Sequence, residues 1–227
     1  ATGVYKAKEI GLGDETDNIV PALEFLIASN RKGLGDQVKL FDDGNLNAKN
    51  KDIVVIGGGD TAMDCVRTAI RQEANSVKCL YRRDKENMPG SAREVNNAEE
   101  EGVEFLWQSL PKNMKQTNKK YNLQCVKMKL SEPDADGRRI PQQIEGSDFN
   151  LEADMVIAAL GFSPEELPKL FNLKKLPVTK WGTVRVGFNT MMTDIDGVFA
   201  AGDIVRGASL VVWGIRDGSC LLYTSPS

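Results

Sequence analysis

Short apolar runs alternate along the chain with polar and glycine-rich segments, and this alternation predicts interleaved strands and helices. Apolar residues at helical spacing predict one helix over residues 19–28, with Pro21 in its first turn, and another after Ala62. A third helix is predicted over residues 91–102, with Gly102 as its C-terminal cap. Compact apolar runs predict buried parallel strands at residues 53–56, 77–81, 103–107 and 155–159.

Other segments add elements of a different kind. Alternation of apolar and polar side chains within residues 112–144 predicts an antiparallel meander attached to the parallel sheet. Residues 182–186 and 197–201 are predicted as further short strands, and residues 210–217 as a helix. Residues 32–51, rich in Gly, Asp, Asn and Lys, are predicted as a connector. The fold class is therefore α/β, a Rossmann-like parallel sheet with an added meander.

Charge and composition exclude several classes of function. The 227 residues include 29 basic and 32 acidic side chains, and the net charge of −3 offers no basic field for nucleic acid or an anionic membrane. No apolar run approaches the roughly 20 residues that span a bilayer. The first residues also lack the features of a signal peptide. We therefore expect a cytoplasmic protein without a nucleic-acid or membrane partner.

The residue inventory also limits the chemistry. The chain has no histidine, which rules out Ser-His-Asp and Cys-His catalysis and removes the commonest general base. The four cysteines form no C-x-x-C pair, so the usual zinc and iron–sulfur ligand sets are not predicted. We expect them to be reduced and mostly buried. They are Cys65, Cys79, Cys125 and Cys220.

A glycine-rich turn between a predicted strand and a predicted helix is the main candidate for binding chemistry. Gly57-x-Gly59-x-x-Ala62 has the spacing of the dinucleotide fingerprint, in which alanine can take the third position. A Cβ at either glycine would block the tight turn or the approach of a pyrophosphate, and the helix N-terminus would present N–H groups to it. The flanking strands and helix favour a dinucleotide over a generic glycine turn.

The end of the second predicted strand indicates which dinucleotide is bound. NAD-specific folds place an acidic residue there, about 20 positions past the motif, but this chain has Arg82 and Arg83. Guanidinium groups bind phosphate through paired hydrogen bonds, so we interpret the site as NADP-binding. In the alternative, the arginines are a solvated strand end and Asp84 reaches the ribose.

A second candidate is Gly202-Asp203, which follows an apolar run and precedes small residues and a predicted helix. This order would bring the backbone close to a ligand, with one carboxylate available for a sugar-type hydroxyl. A helix N-cap role for Asp203 is the structural alternative.

Longer segments resemble the small (beta) subunits of bacterial NADPH-dependent glutamate synthases. Those subunits are flavoproteins with two dinucleotide-binding domains, similar to glutathione reductase. The matching segments follow the same order over nearly the whole chain and extend far beyond the glycine motif. They are residues 1–7, 28–36, 55–65, 81–84, 87–91 and 200–213.

The resemblance implies an NADPH-binding domain inserted into an FAD-binding domain that is incomplete in this chain. The implied domains are residues 1–47 (FAD-domain segment and connector), 48–163 (NADPH domain), 164–218 (second FAD-domain segment) and 219–227 (atypical tail). The resemblance assigns the NADPH pyrophosphate to Gly57, Gly58, Gly59, Asp60, Thr61 and Ala62, the 2′-phosphate to Arg82 and Arg83, and the nicotinamide to Gly161. It assigns FAD to Gly3, Gly202, Asp203, Ala208, Ser209 and Leu210.

The activity that the resemblance implies is hydride transfer from NADPH to FAD, in the electron-input subunit of glutamate synthase. Electrons would then pass through iron–sulfur clusters to a large (alpha) partner subunit, which forms L-glutamate from glutamine and 2-oxoglutarate. The family's FAD-binding G-x-G-x-x-G and its cysteine-rich cluster region would precede residue 1. We therefore expect little activity from this chain alone. Two alternatives stay open, an electron-donating subunit similar to dihydropyrimidine dehydrogenase and a non-catalytic nucleotide-binding module.

Overall fold

The computed structural model describes residues 3–12, 18–118, 120–132 and 139–224. In chain order the strands are β1 (Lys6–Ala7), β2 (Val20–Pro21), β3 (Asp52–Ile56), β4 (Ser76–Leu80), β5 (Glu104–Leu106), β6 (Ser109–Thr117), β7 (Lys120–Leu130), β8 (Pro141–Ala153), β9 (Met155–Ala158) and β10 (Phe162–Ser163). The helices are α1 (Ala22–Gly33), α2 (Lys39–Asp42), α3 (Asp60–Arg71), α4 (Ala92–Glu100), α5 (Leu167–Leu170), α6 (Asp203–Arg206) and α7 (Val211–Thr224).

Contacts divide the chain into two compact units, one of residues 9–160 and one of residues 1–8 together with 161–227. The predicted boundary after residue 47 differs from this division. Residues 9–47 belong to the larger unit because β2 pairs in parallel with β9 and α1 packs against α3. The assignment of cofactor domains to these segments stays a prediction.

The larger unit is built on a parallel sheet with the strand order β2-β9-β3-β4-β5. This confirms the predicted α/β class and its four longer parallel strands. Successive residues of β3 point to opposite faces of the sheet, and both faces are buried, so the strand is apolar throughout its last four residues. On one face Ile53 and Val55 pack with the buried side of α3, which consists of Ala62, Met63, Cys65, Val66 and Ala69.

The other face of the parallel sheet is covered by the predicted meander. Strands β6, β7 and β8 form an antiparallel sheet in that order. Val54 and Ile56 of β3 share a buried cluster with Met114 of β6 and with Leu123 and Cys125 of β7. The polar segment that predicted a meander therefore contributes its alternate apolar side chains to the core of the larger unit.

The smaller unit contains β1 paired with β10, the helices α5, α6 and α7, and a small core around Leu167, Val184 and Ile204. The predicted strands at 182–186 and 197–201 are wrong. These segments make only the isolated bridges Val178↔Val184 and Met192↔Phe199, and another of their backbone bonds goes to a helix, from the Val184 N–H to the Ile204 carbonyl of α6 at 2.8 Å. The helix predicted at 210–217 is confirmed as α7, which begins at Val211 and extends past residue 217. The connector predicted at 32–51 contains the last turn of α1 and the short helix α2.

Candidate functional site

Two glycines of the turn after β3 are required by packing within the larger unit. Gly57 has a φ of +152°, and a Cβ on it would overlap the backbone carbonyl of Ala159 at the end of the neighbouring strand β9. A Cβ on Gly58 would overlap the ring of Tyr81, which follows β4. The turn is therefore pressed between the ends of β9 and β4, where no side chain fits.

Gly59 differs, because nothing in the described structure requires a glycine there. It is the N-cap residue of α3, with φ −93° and ψ 177°, which any residue can adopt. A Cβ built on it meets no atom of the described residues within 4 Å. Among those residues no side chain caps this helix end. The first turn of α3 therefore faces open space with the N–H groups and positive dipole end that bind phosphate in other proteins.

The remaining residues of the motif have distinct environments. Ala62 is fully buried against the sheet, where its small side chain allows the helix to pack closely on the sheet. Its N–H donates to the Gly59 carbonyl at 2.9 Å. Thr61 is half-buried beside it. The Asp60 carboxylate accepts a hydrogen bond from the Ser91 N–H at 2.8 Å. The motif therefore also contacts the residue that precedes α4.

Arg82 and Arg83 lie at the same edge of the sheet as the glycine turn, since Ile56 of β3 pairs with Leu80 of β4. The Arg83 carbonyl accepts from the Gln108 N–H at 2.9 Å, which fixes the backbone there. The Arg83 Nε is buried without a hydrogen-bond partner in the described structure. Within those residues neither arginine makes an ion pair, so both positive charges are available to a ligand.

The alternative ribose ligand, Asp84, is already engaged. Its Oδ1 accepts from the backbone N–H of Asn87 at 2.9 Å and from the Asn87 side-chain amide at 2.7 Å. These bonds close a local turn, in the way that aspartate side chains commonly do. The geometry therefore favours the two arginines over Asp84 as the groups that contact a ligand at this edge.

The smaller unit contains the candidate FAD residues and also Gly161, which the resemblance assigned to the nicotinamide. Gly3 is half-buried, and a Cβ on it would meet the ring of Tyr5 at 2.6 Å. The Gly161 carbonyl accepts from the Lys8 N–H at 3.0 Å, next to the pairing of β1 with β10. Gly3 and Gly161 therefore have structural neighbours, and their predicted ligand contacts stay predictions.

The segment from Gly202 to Leu210 connects α6 with α7. Asp203 is the first residue of α6, and its carboxylate accepts from the Ser209 hydroxyl at 3.4 Å. Ala208 is exposed, and Leu210, just before α7, is 66% exposed. Two predicted site residues, Asp203 and Ser209, are thus brought together by this geometry.

An ion pair that the sequence did not predict holds this segment in place. Arg206 donates from Nε and from a terminal nitrogen to the two carboxylate oxygens of Asp217, each at 2.7 Å. Asp217 is fully buried and also accepts from the Gly202 N–H at 3.3 Å. The guanidinium lies 5.2 Å from the Phe188 ring and 5.0 Å from the Trp213 ring. Asp217 therefore connects α7 to both ends of α6, through Gly202 and Arg206. The sequence feature that could have indicated this ion pair is an arginine eleven residues before an aspartate at the end of a predicted helix.

The Arg206 guanidinium holds the pKa of Asp217 below its usual range, against the opposing effect of burial. A lowered pKa means that the carboxylate stabilises the fold above about pH 4, where unfolded aspartate ionises, and that this contribution is lost as the pH falls through the folded-state value. We expect Asp217→Asn to lower the free energy of unfolding by about 2 kcal/mol at pH 7 and to have much less effect at acid pH. Thermal unfolding of the whole chain at several pH values measures this.

The matched control is Asp194→Asn, because Asp194 is 79% exposed and its contact with Arg185 is 4.0 Å long. Hydrogen exchange locates the effect. Amides of α7 should exchange faster in Asp217→Asn than in wild type, while amides of β3 and β4 should not change. Equal unfolding free energies for wild type and Asp217→Asn at pH 7 would contradict a stabilising ion pair.

Three of the four cysteines are buried, as predicted, and their thiols are held in the protonated form. Burial raises the pKa of Cys79 to about 12 and that of Cys125 to about 12, and it raises the pKa of Cys65 further. Within the part of the chain that the structure describes, no group of three or more His, Cys, Asp or Glu side chains could hold a metal ion. No helix in that part is long and apolar enough to cross a membrane.

Comparison with known proteins gives relatives for nearly the whole chain. The chain is 60% identical over 219 residues to the glutamate synthase [NADPH] small chain of Azospirillum brasilense, and the match covers 96% of this chain and 45% of that protein. A putative glutamate synthase [NADPH] small chain of Cereibacter sphaeroides is 58% identical over 96% of this chain and 52% of that protein. The putative oxidoreductase AegA of Escherichia coli is 41% identical over 95% of this chain and 33% of that protein. The chain thus spans about half the length of these relatives or less.

Solved structures share the fold at low sequence identity. FprA from Mycobacterium tuberculosis has a TM-score of 0.74 at 15% identity, over 99% of this chain and 62% of that one. The thioredoxin reductase of T. acidophilum has a TM-score of 0.69 at 18% identity, over 98% of this chain and 62% of that one. The family model for pyridine nucleotide-disulphide oxidoreductases matches residues 18–218, which include the glycine turn and the Gly202–Leu210 segment. The chain therefore belongs to the pyridine nucleotide-disulphide oxidoreductase family.

Proposed function

We propose that this chain is the part of a glutamate synthase small subunit that accepts hydride from NADPH and passes the electrons to FAD. The observation that carries the proposal is the 60% identity with the small chain of the Azospirillum enzyme over 96% of this chain. The chain spans 45% of that relative, so the activity of the complete subunit is part of the proposal.

The larger unit supplies the NADPH site in this proposal. The open space beside Gly59, at the start of α3, fits a pyrophosphate, and a Cβ on Gly59 would enter that space. The buried Nε of Arg83 lacks a partner, and a 2′-phosphate would supply an acceptor for it and for Arg82. A solved complex of FprA with NADPH has the same fold, which supports the class of ligand.

The smaller unit supplies the FAD contacts. The Asp203 carboxylate fits a hydroxylated chain such as the ribityl group, and Ala208, Ser209 and Leu210 precede the N-terminus of α7. The exposed side chain of Leu210 fits an apolar ring. FAD supplies a two-electron acceptor when it is bound. Because hydride transfer depends on positioning more than on acid–base side chains, a chain without histidine suits this chemistry.

The partner in this proposal is the large (alpha) subunit of glutamate synthase, on which glutamine and 2-oxoglutarate become L-glutamate. Iron–sulfur clusters between the two would require ligands outside the described residues, which contain no metal-binding group. Other acceptors are less well supported. The NADP(+)-dependent formate dehydrogenase subunit beta of Moorella thermoacetica is 37% identical, against 60% and 58% for the two glutamate synthase chains named above.

Titration calorimetry of the whole chain with NADPH and with NADH tests the proposal. We expect NADPH to bind at least about tenfold more tightly, because the 2′-phosphate adds charge-assisted hydrogen bonds. Addition of the large subunit to the complete small subunit should then support NADPH-dependent glutamate formation. A folded chain that binds neither nucleotide would contradict the proposal and favour a non-catalytic module.

A further inference from the structure

The loop formed by residues 84–91 lies against the glycine turn. It follows Arg83 and ends where α4 begins, and two of its backbone N–H groups donate to the motif. The Gly90 N–H donates to the Gly58 carbonyl at 2.9 Å, and the Ser91 N–H donates to the Asp60 carboxylate at 2.8 Å. A Cβ on Gly90 would lie 3.1 Å from the Gly58 carbonyl, so the approach is close.

Tyr81 attaches the same loop from its other side. Its hydroxyl donates to the Asn87 carbonyl at 3.0 Å, while its ring fills the space beside Gly58. The ring is held edge-on by Trp107, with 6.4 Å between centroids. Burial raises the pKa of Tyr81, so the hydroxyl keeps the proton that it donates. The 84–91 loop is thus bonded to the glycine motif at Gly90 and Ser91, and to Tyr81 at Asn87.

Arg82 and Arg83 lie between these attachments, directly after Tyr81 and directly before the loop. Their backbone is held on one side by the turn after β5, where the Gln108 N–H donates to the Arg83 carbonyl. Towards the glycine turn, the chain before the arginines is held by the Gly57 N–H, which donates to the Leu80 carbonyl at 3.1 Å. The chain after them is held there through the loop, so the loop fixes the C-terminal side of the arginine pair relative to the glycine turn.

We propose that Asp60 is a positioning residue for nucleotide selectivity, which holds the 84–91 loop on the glycine turn and thereby places Arg82 and Arg83 at the 2′-phosphate. The inference rests on the proposed NADPH function. It differs from the pyrophosphate contact that the family resemblance implies for Asp60. An ionised carboxylate has no proton to donate to phosphate oxygens and repels their charge, whereas it accepts well from a backbone N–H.

Substitutions at Asp60 separate this role from a simple charge effect. We expect Asp60→Ala to weaken NADPH binding about tenfold, the effect of about one lost hydrogen bond to a charged group, and to leave NADH binding within about a factor of two. Asp60→Asn keeps an acceptor oxygen and should bind both nucleotides nearly as wild type does. Calorimetry with NADPH and NADH measures both. If Asp60 acted only by repelling phosphate, both variants would bind both nucleotides more tightly than wild type, which would overturn the inference.

Removing the donor provides a complementary variant. Ser91 has φ −56° and ψ 127°, angles that proline can adopt, and its own side chain makes no capping bond to α4. Ser91→Pro should therefore reproduce the selective loss of NADPH affinity seen in Asp60→Ala. The helix itself stays anchored, because Arg67 on α3 binds Glu101 after α4 at 2.7 Å.

The matched control is Asp64→Ala, one turn later on α3, where the side chain is exposed and outside the loop contacts. Hydrogen exchange without nucleotide supplies a second measurement. The Gly90 amide should exchange faster in Asp60→Ala than in wild type or Asp64→Ala. An unchanged NADPH-to-NADH affinity ratio in Asp60→Ala, or unchanged exchange, would overturn this inference alone. Failure of the wild-type chain to bind NADPH would overturn the proposed function and, with it, the selectivity role.

Discussion

Gly59→Val is expected to abolish nucleotide binding while the chain remains folded. The valine side chain would extend into the open space beside the start of α3, where the proposal places the pyrophosphate. Loss of the contacts between the helix N-terminus and the phosphates should weaken NADPH and NADH equally, by about a thousandfold each. Replacing glycine with valine at an N-cap costs only about 1 kcal/mol of stability. Calorimetry and a thermal melt of the same sample measure the two effects.

Gly57→Ala is the contrasting variant, two residues earlier in the same turn. Its Cβ would overlap the Ala159 carbonyl, and its φ of +152° disfavours any side chain. This variant should lose stability as well as binding. A neutral glycine control is Gly33→Ala at the end of α1, where a Cβ meets nothing within 4 Å among the described residues. Nucleotide binding by Gly59→Val at wild-type affinity would refute the pyrophosphate site.

The second large effect is expected from removing both guanidinium groups at the end of β4. The double variant Arg82→Ala/Arg83→Ala should bind NADPH about a hundredfold more weakly, because a 2′-phosphate would lose charge-assisted hydrogen bonds from both side chains. NADH lacks that phosphate and should bind unchanged. The preference for NADPH should therefore disappear, and calorimetric titrations with both nucleotides would show equal affinities.

Salt dependence and a matched substitution make this result specific. Wild-type NADPH affinity should fall more steeply with ionic strength than NADH affinity, and the double variant should lose that difference. Arg139→Ala removes an exposed guanidinium elsewhere in the larger unit and should leave both affinities unchanged. A double variant that still prefers NADPH would exclude these arginines as the 2′-phosphate ligands. Another basic residue would then have to bind that phosphate.

The sequence predicted most of the larger unit because its signals are local. Apolar runs, the glycine turn and the arginines after the second strand each lie within a few consecutive residues, and the structure confirms the corresponding elements. The contact between Asp60 and Ser91 joins residues 31 positions apart, and neither residue type indicates the other. The contact forms because the 84–91 loop packs on the glycine turn, and the sequence pattern does not indicate that packing.

The smaller unit was predicted less well for a related reason. Residues 182–186 and 197–201 have the composition of strands, but no neighbouring strand is available to pair with more than one residue of each in the described structure. Strand propensity is realised only through pairing, so the same residues form turns and isolated bridges. The Arg206–Asp217 pair likewise depends on how α6 and α7 pack, which composition does not determine.

The order of strands in the larger sheet also has a consequence for how the protein is made. Strand β9 lies between β2 and β3 in space, but it follows β3 by about a hundred residues along the chain. During synthesis from the N-terminus, β3 must therefore wait for its second neighbour until the whole meander has emerged. Closing so long a connection is slow. Because Gly57 fits against Ala159, at the end of β9, the glycine turn would reach its final shape only after β9 has been made.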